Sequence, residues 1–166
     1  MFDIQKFTYP YEHLIIDNFF PQNILDKILN LPNHGKRVMR IEDPEIFNYF
    51  EDNTGIDFIK KHLTYNKKEP NGSSYCEIAR CEPDPDRGYI YGIHDEHLKK
   101  KVSTVVYIDP QYGSGTILYN EHKELAKLVT WKPNRAFIFV GKPGVTWHDY
   151  GHWEPQTRVS VNYFIK

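Results

Sequence analysis

The spacing of apolar residues changes once along this chain. Up to Leu63 they recur at helical intervals, and from Tyr75 onward they come in short runs separated by turn residues. Residues 13–17 (HLIID) read as a short strand, followed by Phe19-Phe20 and then Pro21. A fixed φ and a missing N–H suit proline to a first helical turn. Ile24, Leu25, Ile28 and Leu29 share one helix face. This helix should stop before Pro32, because a residue preceding proline is pushed out of the α region. Asp43-Pro44 is a second start signal, with Ile46, Phe47 and Phe50 on one face. A third helix is predicted over 55–63, carrying Ile56, Ile59 and Leu63, and the polar stretch 66–74 with Pro70 and Gly72 reads as a loop.

Beyond it the pattern predicts strands over 75–81, 89–96, 102–108, 116–119, 127–130, 135–139, 145–148 and 158–165. Turn signals such as Asp109-Pro110, Gly113-Ser114-Gly115, Pro133-Asn134 and Pro143-Gly144 lie between them. Short strands in this number predict an all-β sandwich or barrel, with the preceding helices covering one outer face. No repeat or linker divides the 166 residues. They read as one domain, with 1–74 a helical support region and 75–166 the β core.

Composition narrows the classes. A hydrophobic content of 40% with 15% aromatics is globular rather than disordered. A formal net charge of −1 argues against a dedicated nucleic-acid or membrane-surface binder. Cys76 and Cys81 form a single C-x4-C, whereas a zinc knuckle needs four ligands, so they read as two reduced thiols near a strand. The N-terminal stretch lacks a basic segment followed by an apolar one, and no segment reaches the ~18 apolar residues of a membrane span, so a cytoplasmic protein is expected.

Three clusters carry candidate chemistry. In Tyr91-Gly92-Ile93-His94-Asp95-Glu96-His97, strand alternation puts His94 and Glu96 on one face and Asp95 on the other. An imidazole beside a carboxylate is two-thirds of the 2-His-1-carboxylate triad that leaves open positions on Fe(II), or it is a solvated polar surface. The second cluster, 146–153, holds His148 and His152 after the apolar run 136–140; it supplies a third ligand or is an aromatic loop at a sheet edge. In the third, Val159, Val161, Tyr163 and Ile165 alternate with Arg158, Ser160 and Asn162. The polar face either meets solvent or lines a pocket, where the Arg158 fork can grip a carboxylate bidentately.

Taken together, His94-x-Glu96, then His148, then Arg158 with Ser160 two residues on resembles the Fe(II)/2-oxoglutarate-dependent dioxygenases, in particular their prolyl-hydroxylase-like branch. Residues 11–32 are similar to that branch's strand, Asp, Phe-Phe, helix opening. Residues 101–107 (KVSTVVY) resemble the strand after its first metal motif, and 112–119 (YGSGTILY) its Gly-Gly-x-Thr segment, with Ser114 replacing one glycine. The family's commoner motif is H-x-D, and here the carboxylate is one methylene longer. The resemblance implies a mainly β fold with N-terminal helices, a double-stranded β-helix (jelly roll) with helices packed on one outer face. It implies His94, Glu96 and His148 as catalytic iron ligands, with Asp95 and His152 as fallbacks. It further implies Arg158, helped by Ser160, as the anchor of the far carboxylate of 2-oxoglutarate, with Tyr107 a weaker candidate for the same task.

The implied cofactors are Fe(II), 2-oxoglutarate and O2, with ascorbate as a stimulant. The implied reaction is hydroxylation of a C–H bond on a peptide or small molecule, a peptidyl proline being the leading substrate. Tyr89, Tyr91, Trp131, Trp147 and Trp153 are candidates for an aromatic rim, or for core packing. Two alternatives stand beside this reading. One is a cupin-like metalloenzyme that does not use 2-oxoglutarate; the other is a non-catalytic jelly-roll binding module.

Overall fold

Asp43 and Pro44 begin a helix as their chemistry predicts: the Asp43 carboxylate accepts from the N–H groups of Glu45 (2.9 Å) and Ile46 (3.3 Å). The computed structural model describes residues 2–32, 36–66, 73–82, 89–95, 100–152 and 156–166. Strands β1 (Ile4–Phe7) and β2 (His13–Ile16) precede α1 (Gln22–Leu29), β3 (Val38–Arg40), α2 (Pro44–Thr54) and α3 (Ile56–His62). Eight further strands follow: β4 (Ser74–Cys81), β5 (Tyr89–His94), β6 (Val102–Asp109), β7 (Thr116–Tyr119), β8 (Leu125–Val129), β9 (Ala136–Val140), β10 (His148–His152) and β11 (Arg158–Ile165). Among the described residues no helix is long and apolar enough to cross a membrane.

All strand pairs are antiparallel and form two sheets. The larger runs β1-β2-β9-β6-β11-β4-β3 and the smaller β5-β10-β7-β8. The three helices cover the outer face of the larger sheet, where Ile24, Ile28, Ile46, Phe50 and Ile59 join one buried cluster with Ile78, Val106, Ile138, Val161 and Tyr163. Between the sheets lies a second cluster, in which Tyr107, Phe137 and Phe139 of the larger sheet meet Leu118 and Val129 of the smaller. This is the jelly roll with helices on one outer face.

β11 sits at the centre of this arrangement. It is hydrogen-bonded to β6 on one side and β4 on the other, so both of its edges are paired. Its apolar face packs under the helices, and its polar face is turned to the space between the sheets.

Three details differ from the sequence pattern. β1 and β3 were not visible because they are short, part-polar strands at the two edges of the larger sheet; edge strands need no continuous apolar pattern. The region 1–74 therefore supplies three strands as well as the helical cover. Leu29 is 57% exposed, because the eight-residue α1 buries only Ile24 and Ile28 fully. The strand expected over 145–148 instead begins at His148. Val145 and Thr146 both donate backbone N–H to the Lys142 carbonyl, and Thr146 Oγ1 accepts from Lys142 N–H, so these residues close a turn. As expected, Cys76 and Cys81 are free thiols; both are buried, five positions apart on β4. That odd spacing puts them on opposite faces: Cys76 lies in the helix-side core and Cys81 faces the space between the sheets.

Candidate active site

β5 ends at His94 and β10 begins at His148, and the two residues are Cα partners across the ladder. Their rings stand 4.3 Å apart, centroid to centroid, inclined at 54°. Each ring is oriented by its own backbone. Nδ1–H of His94 donates to the Gly92 carbonyl at 2.8 Å, and Nδ1–H of His148 to the Thr146 carbonyl at 2.9 Å. A carbonyl can only accept, so the proton sits on Nδ1 and Nε2 carries the lone pair of each ring. His148 is 8% exposed and lies edge-on to Phe139, whereas His94 is half-buried.

Both rings line a cavity of about 330 Å³ between the sheets. β11 contributes Arg158, Ser160, Asn162 and Phe164 to the same cavity, while Phe137 and Phe139 make its apolar wall. Arg158 is 3% exposed, and its Nε has no hydrogen-bond partner among the described residues. Burial pushes its pKa down; Tyr107, Tyr150 and Cys81 act in the opposite sense. A guanidinium keeps its charge even so. Its surroundings are aromatic: its Cζ lies 3.8 Å from the ring centroid of Tyr150, 5.2 Å from Trp131 and 5.7 Å from Tyr107. A buried cation with no carboxylate partner costs stability, unless an anion arrives to meet it. The arrangement therefore offers two imidazole donors and one anion anchor to a single cavity.

No protein-family model and no curated protein matches the sequence. Solved structures do match. A viral collagen prolyl hydroxylase from Paramecium Bursaria Chlorella virus-1, in its 2OG complex, superposes with a TM-score of 0.64 at 14% identity over 92% of this chain and 94% of that one. A Pseudomonas putida prolyl-4-hydroxylase gives 0.63 at 13% identity, over 93% and 91%. A Trichoplax adhaerens prolyl hydroxylase, in complex with a hypoxia inducible factor oxygen degradation domain peptide fragment, gives 0.66 at 14% identity, over 92% and 82%. This chain shares their fold.

His94, His148, Arg158 and Ser160 line the one cavity. Glu96 lies outside the described residues. The fallback Asp95 is engaged elsewhere: its carboxylate accepts from the Gly144 N–H at 2.7 Å, in the turn before β10. Of the other fallback, His152, only the backbone is described. Tyr107 is paired in register with Ser160, but its hydroxyl shares a 2.7 Å hydrogen bond with Thr116 Oγ1. Burial raises its pKa, and its ring stacks on Trp131 at 4.5 Å. Trp131 donates to the Pro110 carbonyl at 2.7 Å, so it belongs to the wall beside Arg158 rather than to a rim. Trp147 carries Lys123 over its ring at 4.0 Å. Trp153 and the side chains of Tyr89 and Tyr91 lie outside the described part of the structure.

Sequence reasoning missed Thr116 and Tyr150 as cavity residues. Ending the predicted strand at His148 hid the signal for Tyr150, which is two residues on and therefore on the same face of a strand that begins there.

Proposed function

We propose that this chain is an Fe(II)- and 2-oxoglutarate-dependent dioxygenase that hydroxylates a C–H bond. One observation carries the reading: two imidazoles, each fixed by a backbone carbonyl at Nδ1, and a buried guanidinium whose Nε has no partner among the described residues line one cavity. The donor set fits Fe(II), for which two imidazoles and a carboxylate leave open positions for a chelating cosubstrate and O2. His94 and His148 would hold the metal together with Glu96. When bound, iron would supply the activation of O2, whose two atoms oxidise 2-oxoglutarate to succinate and CO2 and the substrate C–H bond to an alcohol.

The chain's own residues bind and orient. The carbonyls of Gly92 and Thr146 keep both imidazoles in the tautomer that can ligate. Arg158 would take the far carboxylate of 2-oxoglutarate in a charge-assisted pair, with Ser160 beside it as a hydroxyl donor. Phe137 and Phe139 keep the wall apolar and limit water. A cupin-like site has no use for an arginine and a serine facing the cavity from the last strand, so their placement favours the 2-oxoglutarate reading. The proposed substrate is a peptidyl proline; support comes from the shared fold with prolyl hydroxylases, one of them in complex with a peptide fragment.

Succinate formation by the purified protein with Fe(II), 2-oxoglutarate, ascorbate and O2 tests the proposal. Iron-dependent succinate that disappears in Arg158→Ala is the expected result. No succinate, together with no rise in melting temperature on adding metal plus 2-oxoglutarate, would overturn it.

A further inference from the structure

We propose that Tyr150 is a positioning residue for the cosubstrate: its ring holds the Arg158 guanidinium so that the in-plane N–H donors meet an incoming carboxylate. The inference rests on the 2-oxoglutarate reading of the site and deepens it.

Burying a guanidinium without a carboxylate demands some other source of stabilisation. At Arg158 that source is aromatic. The nearest ring is Tyr150, at 3.8 Å, inside the distance at which a ring quadrupole attracts a cation. An aromatic face offsets charge but has no acceptor in the plane of the guanidinium. The fork thus keeps its hydrogen-bonding directions for a planar anion, in agreement with the partnerless Nε.

The three rings around Arg158 do not have equal standing. Tyr107 and Trp131 stack on one another and are tied down by hydrogen bonds to Thr116 and Pro110. They form a fixed wall at 5.2 and 5.7 Å from the cation. Tyr150 is closer and comes from the smaller sheet, two residues beyond His148 and across a register shift in β10. Its hydroxyl lies 3.8 Å from Sγ of Cys81, which is the Cα partner of Arg158 in the larger sheet. Tyr150 therefore spans the cavity from the strand that carries a candidate metal ligand to the residue that anchors the anion. A leucine there would fill space without stabilising charge. A phenylalanine would keep the ring over the guanidinium and lose the hydroxyl with its long contact to Cys81.

Calorimetry of 2-oxoglutarate binding to the Mn(II)-loaded protein, for wild type, Tyr150→Phe and Tyr150→Leu, tests the inference. Two controls run beside it: the affinity for Mn(II), and the affinity for 2-oxobutyrate, which lacks the far carboxylate. Tyr150→Phe should bind 2-oxoglutarate within about threefold of wild type, and Tyr150→Leu about tenfold more weakly. Both variants should keep wild-type affinity for Mn(II) and 2-oxobutyrate. Undiminished 2-oxoglutarate binding by Tyr150→Leu overturns the inference. So does an equal loss for 2-oxobutyrate or Mn(II), since that marks damage to the metal end. A wild-type protein that binds Mn(II) but not 2-oxoglutarate overturns the underlying reading itself.

Discussion

His94 and His148 face each other as Cα partners on antiparallel strands, their rings 4.3 Å apart and each held by the carbonyl two residues before it. Fifty-three intervening positions contribute nothing to this pairing except the path that brings β10 back beside β5. Replacing either ring removes one of two donors. His94→Ala and His148→Ala should each lower Fe(II)-dependent succinate formation by at least about 100-fold and abolish the metal-induced rise in melting temperature. Normal turnover by His148→Ala would show that the metal is held elsewhere.

Arg158 makes opposite predictions for stability and for binding. Removing a buried cation that has no carboxylate partner among the described residues relieves a desolvation cost, and methionine fills similar space. Arg158→Met should therefore melt no lower than wild type when no cosubstrate is present. Its affinity for 2-oxoglutarate should fall by on the order of 2–5 kcal/mol, the loss expected for one partner of a buried charged pair. A melting temperature several degrees below wild type would identify the guanidinium as a structural element instead.

His13 should impose an acid limit on stability. It is fully buried on β2, stacked on Phe7 and edge-on to Phe137, and its Nε2 has no partner among the described residues. Burial, with the Lys127 cation adding to it, brings its pKa from 6.5 down to about 4. The folded state thus favours the neutral ring. Its contribution is complete above pH 6.5 and is lost as the pH falls towards 4, a change on the order of 3 kcal/mol. Urea denaturation at pH 7.5, 5.5 and 4.5 should show this fall in wild type and a flatter profile in His13→Phe. The Asp17 carboxylate, held down to about 2 chiefly by its hydrogen bond from Arg135, titrates in a separate window below pH 3.8. A wild-type profile flat between pH 7.5 and 4.5 would rule out a neutral buried His13.

Gly115 is expected to tolerate no side chain. A Cβ there would stand 1.8 Å from the Val129 carbonyl oxygen and 2.9 Å from the Trp131 nitrogen, both backbone atoms. Gly115→Ala must push β7 from β8 or move Trp131, one wall of the Arg158 cage. A loss of about 2 kcal/mol or more in chemical denaturation is expected, with weaker 2-oxoglutarate binding. Unchanged stability would mean that the loop before β7 has room the structure does not show.

Much of this site was legible before the structure because strand alternation is a local property. Residues two apart share a face, so Arg158, Ser160 and Asn162 had to point together once residues 158–165 were read as a strand. Which way they pointed was not legible. A polar face can meet solvent or a cavity with the same sequence, and only the flanking strands and the opposing sheet make it the latter. The turn before β10 was misread because Val145 and Thr146 have strand propensity, which their hydrogen bonds to Lys142 override. That shift concealed Tyr150.

The sequence by itself determined the helix starts at Pro21 and Asp43-Pro44, the alternation of β11 and the residue types able to ligate or grip an anion, since each depends on neighbours along the chain. Only the tertiary structure decided that His94 meets His148, that the Tyr107 hydroxyl is engaged by Thr116, and that three rings from separate segments enclose Arg158. Those are contacts between distant segments. Backbone pairing and the packing of two sheets create them, and no local preference encodes either.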